Sequence, residues 1–250
     1  MIMKTIRTKS FELAVYTRGD ENAGKVALVL PGRLDTKDYI HMTSHVDFLA
    51  DRGYYPLSFD VPGTWESPGD ITEYTTTNYI RVVNELIERL GNKPTLLIGH
   101  SRGGSVAILA GAANKNVIGI IPIMATYGAP SSPSPEDLKA GVHVSHRDLP
   151  PGTSKTAEQR EFALPLSYFT DGRQYNPATK LREFAGPKLL ICATNDEFTP
   201  PEKAKGVFDT LTEPKMLLEL NTGHDYRYHP EMIEKVNSAI GKFIQNYLAA

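Results

Sequence analysis

The stretch PTLLIGHSRGGSVAILAGAA, residues 94–113, joins two apolar runs through a short turn that is rich in glycine. Within this turn, Gly99, Ser101 and Gly103 match the pattern G-x-S-x-G. The first run is typical of a strand buried on both faces, and the second is typical of a buried helix. A serine on so sharp a turn has a strained backbone, and flanking glycines are needed because a Cβ atom would collide with the neighbouring strand or helix. The stretch therefore predicts a serine hydroxyl raised clear of the end of a strand.

Five further runs indicate strands of the same sheet, because each is nearly continuous in apolar residues. They are KVALVL (25–30), YYPLSFD (54–60), VIGIIPIM (117–124), KLLICAT (188–194) and KMLLEL (215–220). Residues 36–51, residues 78–90 and the segment from Pro230 onward instead repeat apolar residues at helical spacing. Strands that alternate with helices predict an α/β fold, with a mostly parallel central sheet and helices on both of its faces.

Residues 126–187 interrupt this alternation. They contain eight of the eighteen prolines in the chain, which disfavours long regular elements. We interpret them as a small proline-rich cap, inserted after the strand that ends at Met124, in a single domain that spans residues 1–250. A disordered linker between two domains is the alternative, but the apolar and aromatic residues of 163–169 favour packing.

With this order of elements, the chain resembles the α/β-hydrolase family from its first buried strand to its last helix. The resemblance implies a catalytic triad in the chain order serine, acid, histidine. Asp196 lies two residues beyond the strand that ends at Thr194, where the family's acid usually lies. His224 follows the strand that ends at Leu220 and precedes the final helix. The resemblance therefore assigns the triad to Ser101, Asp196 and His224.

Each residue type of this triad has a separate role in proton transfer. A serine hydroxyl is a poor nucleophile at neutral pH, so a neutral imidazole must accept its proton during attack and return it to the leaving group. His224 is the predicted base. The carboxylate of Asp196 would hold the ring in the required tautomer and stabilise the imidazolium that forms.

The tetrahedral oxyanion of such a reaction needs two backbone N–H donors. The resemblance implies Arg102, directly after the nucleophile, and Arg33, in the loop LPGRLD. Pro31 stands where a histidine is common in the family, and the HGGG run of one lipase subgroup is missing. This departure leaves Leu34 as an alternative to Arg33 for the second donor.

Three other residues lie close enough in sequence to take a role in the triad. His100 is in the turn itself, but its side chain should point away from that of Ser101. Glu197 is an alternative acid if the preceding strand ends one residue later. Asp225 is a weaker one, since a residue adjacent to His224 seldom turns back to its ring.

The sequence predicts neither a cofactor nor a metal site. Cys192 is the only cysteine, so an intrachain disulfide and a four-thiolate cluster are both excluded. His41 and His45 have the i, i+4 spacing of metal ligands on a helix, but no third ligand accompanies them, and we expect them on the solvated surface. His143 and His146 are expected to be exposed on the cap, with lining of the cavity entrance as the alternative. The glycine-rich turn lacks the lysine of a P-loop.

Three aromatic residues near the ends of predicted strands are candidates for a substrate pocket. Trp65, Tyr127 and Phe198 could wall an apolar site for the acyl or leaving group. The alternative for these three residues is ordinary packing under the cap.

Composition and charge exclude several other classes of protein. Of the 250 residues, 40% are hydrophobic and 22% are charged, which is an ordinary balance for a globular protein. The formal net charge of -2 and the lack of a basic run argue against a nucleic-acid partner. No apolar run approaches the roughly 20 residues of a membrane-spanning helix, and the first residues lack the apolar core of a signal peptide. We expect a cytoplasmic protein without a membrane partner, and the oligomeric state stays open.

Together these features predict a cofactor-free serine hydrolase. Its substrate would be a small carboxylic ester, cleaved through an acyl-enzyme intermediate. The same triad would also serve a thioesterase, a lactonase or an amidase and peptidase, and the fold alone would serve a non-catalytic binding protein.

Overall fold

The computed structural model describes residues 4–130 and 132–248. The strands are β1 (Lys4–Arg7), β2 (Glu12–Thr17), β3 (Lys25–Leu30), β4 (Tyr54–Phe59), β5 (Thr95–His100), β6 (Val117–Ile123), β7 (Val142–Asp148), β8 (Gln159–Pro165), β9 (Lys188–Ala193) and β10 (Lys215–Leu220). The helices are α1 (Ile40–Ala50), α2 (Thr76–Arg89), α3 (Arg102–Ala113), α4 (Pro135–Ala140), α5 (Ser167–Gly172), α6 (Pro177–Glu183), α7 (Pro201–Asp209) and α8 (Pro230–Tyr247).

Eight of these strands form one sheet, in the order β1-β2-β4-β3-β5-β6-β9-β10. Every pair from β4 to β10 is parallel, whereas β2 runs antiparallel to both β1 and β4. The prediction of a mostly parallel central sheet is confirmed, and each of the six predicted strands belongs to it. Sequence analysis missed β1 and β2. β1 is largely exposed at the edge and has no continuous apolar run, and the aliphatic run of β2 is only three residues long.

The sheet is buried on both faces, which explains the unbroken apolar runs of its central strands. In β3, Leu28 packs into the core on the side of α2 and α3, while Val29 packs into the core on the side of α1 and α8. Both side chains are fully buried. Removing each such side chain from water contributes roughly 1.5–3 kcal/mol to folding. The strand β10 is less buried because it lies at the other edge.

Residues 126–187 form a set of short elements between β6 and β9. None of their helices or strands exceeds seven residues. β7 and β8 pair as a separate antiparallel hairpin, with Val144 opposite Ala163. Asp148, the last residue of β7, accepts a hydrogen bond of 2.7 Å from the guanidinium of Arg227. This buried ion pair connects the hairpin to the loop that follows β10.

Helix α1 is buried more completely than its sequence suggests, and the expectation of a solvated His41 and His45 is wrong. Both histidines have no exposed surface. His45 Nδ1 lies 2.6 Å from the side-chain oxygen of Asn237, and its Nε2 lies 2.8 Å from the hydroxyl of Tyr226. The physical reason is that α8 and the loop before it pack against α1, where Asn237 and Tyr226 contact the two histidines.

None of the helices in the described part of the chain is both long enough and apolar enough to cross a membrane.

Candidate active site

The turn between β5 and α3 holds Ser101 in a backbone conformation that few non-glycine residues adopt. Its φ is 51° and its ψ is -119°. A Cβ atom on Gly99 would lie 2.2 Å from the carbonyl of Gly103, and a Cβ on Gly103 would lie 2.1 Å from the carbonyl oxygen of Leu30. Both glycines are therefore required by close backbone packing, as the G-x-S-x-G pattern predicts.

The loops after β9 and β10 bring an acid and a histidine to this serine. His224 Nε2 lies 2.9 Å from the hydroxyl oxygen of Ser101. On the other side of the ring, Nδ1 lies 2.9 and 3.0 Å from the two carboxylate oxygens of Asp196. Since an ionised carboxylate only accepts, Nδ1 carries the proton and Nε2 is free to accept from the hydroxyl. The three side chains predicted from the resemblance thus lie within hydrogen-bonding reach of one another.

Hydrogen bonds from the loop that follows β9 stabilise the ionised form of Asp196. Asp196 also accepts backbone N–H bonds of 2.8 Å from Phe198 and from Thr199. Burial acts to raise the pKa of Asp196, but the hydrogen bond from His224 and these two backbone donors outweigh it and hold the pKa below its usual value. The ionised form is therefore the one that orients the histidine.

The rival residues have other partners. Glu197 accepts the backbone N–H of His224 at 3.3 Å rather than its ring. Asp225 lies 3.4 Å from the guanidinium of Arg227. His100 points away from the serine hydroxyl, and its Nε2 lies 3.1 Å from the carbonyl oxygen of His224. These three residues therefore contact the backbone or the supports of the triad, and none replaces a member of it.

A second acid and histidine pair lies beneath the triad. His100 Nε2 lies 3.1 Å from the carbonyl oxygen of His224, and His100 Nδ1 lies 3.4 Å from a carboxylate oxygen of Asp35. Burial acts to raise the pKa of Asp35, but the bond to His100 and the charge of Arg147 hold that pKa well below its usual range. The pair fixes the backbone that carries the catalytic ring.

Asp35, His41 and His100 are also the residues best placed to hold a metal ion. One ligand atom of each lies within 4.8 Å of the others, and all three are buried. Zinc bonds of about 2.0–2.1 Å require ligand atoms to be closer together than this upper limit. The contact of 3.4 Å between His100 Nδ1 and Asp35 already engages two of its members.

The loop after β3 presents a candidate oxyanion donor. The N–H of Leu34 is engaged, because it donates to the hydroxyl of Tyr74 at 2.7 Å. The carbonyl of Leu34 accepts from the indole of Trp65 at 2.9 Å, and the carbonyl of Arg33 accepts from the guanidinium of Arg147. Within residues 4–130 and 132–248, the backbone N–H groups of Arg33 and Arg102 donate to no acceptor. Of the two alternatives for the second donor, Arg33 is therefore the one with an available N–H.

A cavity of about 690 Å³ opens beside Ser101 and is lined both by the core of the fold and by residues 126–187. Phe198 is one of its walls, and its ring centre lies 4.9 Å from that of His224. Trp65 and Tyr127 do not line it. Trp65 is engaged with Leu34 and packs its ring against Phe162, and Tyr127 is buried in the core.

The two histidines of β7 also lie outside this cavity lining. His143 pairs with Asp137 at 3.0 Å, and His146 pairs with Glu161 at 3.2 Å. His146 is about half exposed, as expected, whereas His143 is more covered because its ring packs on Phe169.

Sequence analysis missed three residues that support the site: Asp35, Tyr74 and Arg147. Asp35 ends the loop LPGRLD, so its nearness to the predicted oxyanion donors was a usable signal. Tyr74 and Arg147 lie in segments that contact the site only through the tertiary fold, and no local pattern marks them.

Comparisons with known proteins show similarity in both sequence and fold. In sequence, the chain is 23% identical to the mouse palmitoyl-protein thioesterase ABHD10, mitochondrial, over 214 residues, which cover 80% of this chain and 68% of that protein. It is 25% identical over 201 residues to a 2-hydroxy-6-oxononadienedioate/2-hydroxy-6-oxononatrienedioate hydrolase of Pseudomonas, with coverage of 74% and 65%.

Among solved structures, Est1E from Butyrivibrio proteoclasticus with bound ferulic acid superposes with a TM-score of 0.77 at 18% identity, covering 99% of this chain and 100% of that one. Mouse alpha/beta hydrolase domain-containing protein 10 superposes with a TM-score of 0.75 at 20% identity, covering 98% and 99%. At these identities the superpositions show a shared fold.

The model of the alpha/beta hydrolase family matches residues 27–237, from the third residue of β3 into α8. This match includes the loop after β3, the G-x-S-x-G turn and the loops that carry Asp196 and His224. The chain therefore belongs to the alpha/beta hydrolase family.

Proposed function

We propose that the chain is a serine hydrolase that cleaves a small carboxylic ester through an acyl-enzyme intermediate. The observation that carries the proposal is the unbroken series of contacts from Asp196 through His224 to Ser101, with 2.9 Å on both sides of the imidazole. A scaffold that only binds ligands would not need this alignment, because binding does not require proton transfer from a hydroxyl.

In the first half of the reaction, Ser101 Oγ attacks the carbonyl carbon while His224 Nε2 takes its proton. The negative charge that develops on the carbonyl oxygen is stabilised by the N–H groups of Arg102 and Arg33. When the tetrahedral intermediate collapses, the carbon–oxygen bond to the leaving group breaks, and the imidazolium returns the proton to that group. The acyl group stays on Ser101.

In the second half, a water molecule takes the place of the leaving group. His224 removes a proton from the water, whose oxygen attacks the acyl carbon, and the same two backbone donors stabilise the oxyanion again. Collapse breaks the bond between the acyl carbon and Ser101 Oγ. The proton on His224 then returns to the serine, which restores the starting state.

A thioester is the second candidate substrate. Its support is the likeness over 80% of the chain to a protein named as a palmitoyl-protein thioesterase. The same proton transfers apply, and a thiolate needs less assistance to leave than an alkoxide. Lactone and amide cleavage are compatible with the triad but have no separate observation in their favour.

The proposal is tested with a fluorophosphonate probe, which reacts with an activated serine. We expect the folded protein to gain the mass of one adduct, with the label on Ser101 after peptide mapping, and we expect the Ser101→Ala variant to gain none. Ser105 provides the matched control, since its hydroxyl donates to the carbonyl of Thr126 and has no histidine partner. Ser105→Ala should label as the parent does. A folded parent that does not label would contradict the proposal.

A further inference from the structure

The cavity beside Ser101 is rich in cationic side chains that have no acidic partner. Five of them line it, and within residues 4–130 and 132–248 none forms an ion pair with a carboxylate. The five are Arg33, Arg102, Arg147, Lys155 and Lys203. They come from five different parts of the chain: the loop after β3, the start of α3, the strand β7, the loop after β7 and the helix α7.

The acidic side chains of the same cavity are fewer, and each is engaged. Asp35 contacts the ring of His100, and Asp225 contacts the guanidinium of Arg227. Glu197 accepts the backbone N–H of His224. The carboxylates in the wall are therefore engaged with other groups, and none of the three forms an ion pair with the five cations, although the charge of Arg147 acts on Asp35.

Two of the five cations are partly buried, which makes the lack of a counter-ion more significant. The Arg102 guanidinium lies 4.1 Å from the ring centre of Tyr74 and 4.6 Å from that of Tyr168. Arg147 donates to the carbonyl of Arg33. Each arginine also has one buried nitrogen without a hydrogen-bond partner in the described chain: Nη1 in Arg102 and Nε in Arg147. Removing a cation from water without an anion is unfavourable, so an anionic ligand nearby would stabilise both.

We propose that this cavity takes an ester or thioester that carries an anionic group, a carboxylate or a phosphate, at a distance from the bond that is cleaved. The inference rests on the proposed function, since it adds a substrate class to the same site. Guanidinium and ammonium groups both recognise these oxyanions, and charge-assisted hydrogen bonds to them are about twice as strong as neutral ones. The anion lies either on the acyl part or on the leaving group, and the structure is compatible with both positions.

The test compares substrates that differ in charge but react through the same bond. For the acyl side, the monophenyl ester of glutaric acid is compared with phenyl 4-carbamoylbutanoate, in which an amide replaces the carboxylate. For the leaving-group side, S-butyryl-4′-phosphopantetheine is compared with S-butyryl-pantetheine, which lacks only the phosphate. After subtraction of uncatalysed hydrolysis, we expect kcat/KM for the charged member of at least one pair to exceed that of its neutral partner by about tenfold or more. The ratio should fall as salt is added.

Charge-removal variants connect any such preference to the cavity. Lys155 and Lys203 are exposed, and neither takes part in the triad or its supports. The double variant K155Q/K203Q should reduce the charged-to-neutral ratio severalfold, chiefly by lowering kcat/KM for the charged member. Lys242 is an exposed lysine of α8 outside the cavity, so Lys242→Gln removes a charge of the same sign and should leave the ratio unchanged.

A binding measurement separates this inference from the proposed function. In the Ser101→Ala protein, which cannot turn the substrates over, isothermal titration calorimetry should show about tenfold tighter binding for the favoured charged member than for its neutral partner. Equal or weaker binding of both charged members would overturn the inference, whatever the activity of the parent. Tighter charged binding in a protein whose Ser101 does not label would support the anion site and contradict only the proposed catalysis.

Discussion

The reactivity of Ser101 depends on its backbone as well as on its neighbours. A positive φ at a non-glycine residue costs on the order of 1–3 kcal/mol, and surrounding structure must hold it in place. Here the tight packing of Gly99 and Gly103 against adjacent backbone supplies that constraint. The result is a hydroxyl that points to His224 and a free backbone N–H on the next residue. A single turn thus provides the proposed nucleophile and one candidate oxyanion donor.

Asp196→Asn tests the orienting role of the carboxylate. The amide keeps the shape of the side chain, but its NH₂ group can donate to His224 Nδ1 and thus favours the tautomer whose Nε2 carries the proton and cannot accept from Ser101. We expect kcat for an activated ester to fall by about 10⁴-fold with little change in stability. The rate is measured with p-nitrophenyl acetate, and folding is measured by circular dichroism.

Glu197→Gln is the matched control for this variant. It makes the same carboxylate-to-amide change one residue away, where the side chain accepts only the backbone N–H of His224. We expect kcat to fall by less than about tenfold, because one neutral hydrogen bond can replace the original one. A loss as large as that of Asp196→Asn would mean that the acid of the triad is wrongly assigned.

At the scale of elements, the candidate site is a set of loops gathered at one edge of the sheet. Parallel strands place their carboxyl ends at the same edge, so the loops after β3, β5, β9 and β10 meet there. The β7–β8 hairpin belongs to a different sheet and is connected to this edge by side chains. Asp148, at the end of β7, accepts from Arg227 and from the hydroxyl of Tyr228, both at 2.7 Å.

Asp148→Asn should loosen this connection. The two partners Asp148 and Arg227 are each only 3% exposed, so removing the carboxylate leaves a buried guanidinium without a full counter-charge. We expect a loss of about 3–5 kcal/mol in the free energy of unfolding, measured by urea denaturation. Glu161→Gln, in the exposed pair of the same hairpin, should change it by about 0.5 kcal/mol or less. Equal effects of the two variants would show that Asp148 does not hold the hairpin in place.

At the scale of the whole molecule, buried histidines couple folding to pH. Burial lowers the pKa of His45 from 6.5 to about 4, and burial also holds the pKa of His41 well below its usual value. The unfolded chain therefore binds more protons than the folded protein as the pH falls from about 6.5 toward 4. Stability is fully present above this window and is lost through it on acidification.

We expect the free energy of unfolding to decrease below pH 6.5, with a slope of up to about 1.4 kcal/mol per pH unit for each buried histidine. His45→Gln should reduce this slope, since glutamine does not titrate. His146 is about half exposed, so His146→Gln should leave the slope unchanged. Urea denaturation at several pH values measures all three proteins. A slope unaffected by His45→Gln would contradict the assignment of acid sensitivity to this residue.

The amino-acid sequence by itself determined the elements of the fold that are continuous along the chain. Apolar runs predicted the six parallel strands, because a strand buried on both faces has few polar positions. The G-x-S-x-G turn predicted the position of Ser101 at the end of β5, since its glycines are required by close packing of the neighbouring backbone. The resemblance carried by that turn then indicated Asp196 and His224, which each follow a recognisable strand.

Only the tertiary structure decided which side chains surround these three. The sequence predicts that His41 and His45 are solvated, yet α8 packs over them. His45 contacts Asn237, which is almost 200 residues away in the chain, so no local pattern could predict this burial. Trp65 was a candidate for the substrate pocket, but its indole donates instead to the carbonyl of Leu34 in the loop after β3. Arg147 comes from the β7–β8 hairpin, and its position depends on how that hairpin packs beside the main sheet. Burial and side-chain partners are properties of the packed molecule, because they arise between segments that are distant in the chain.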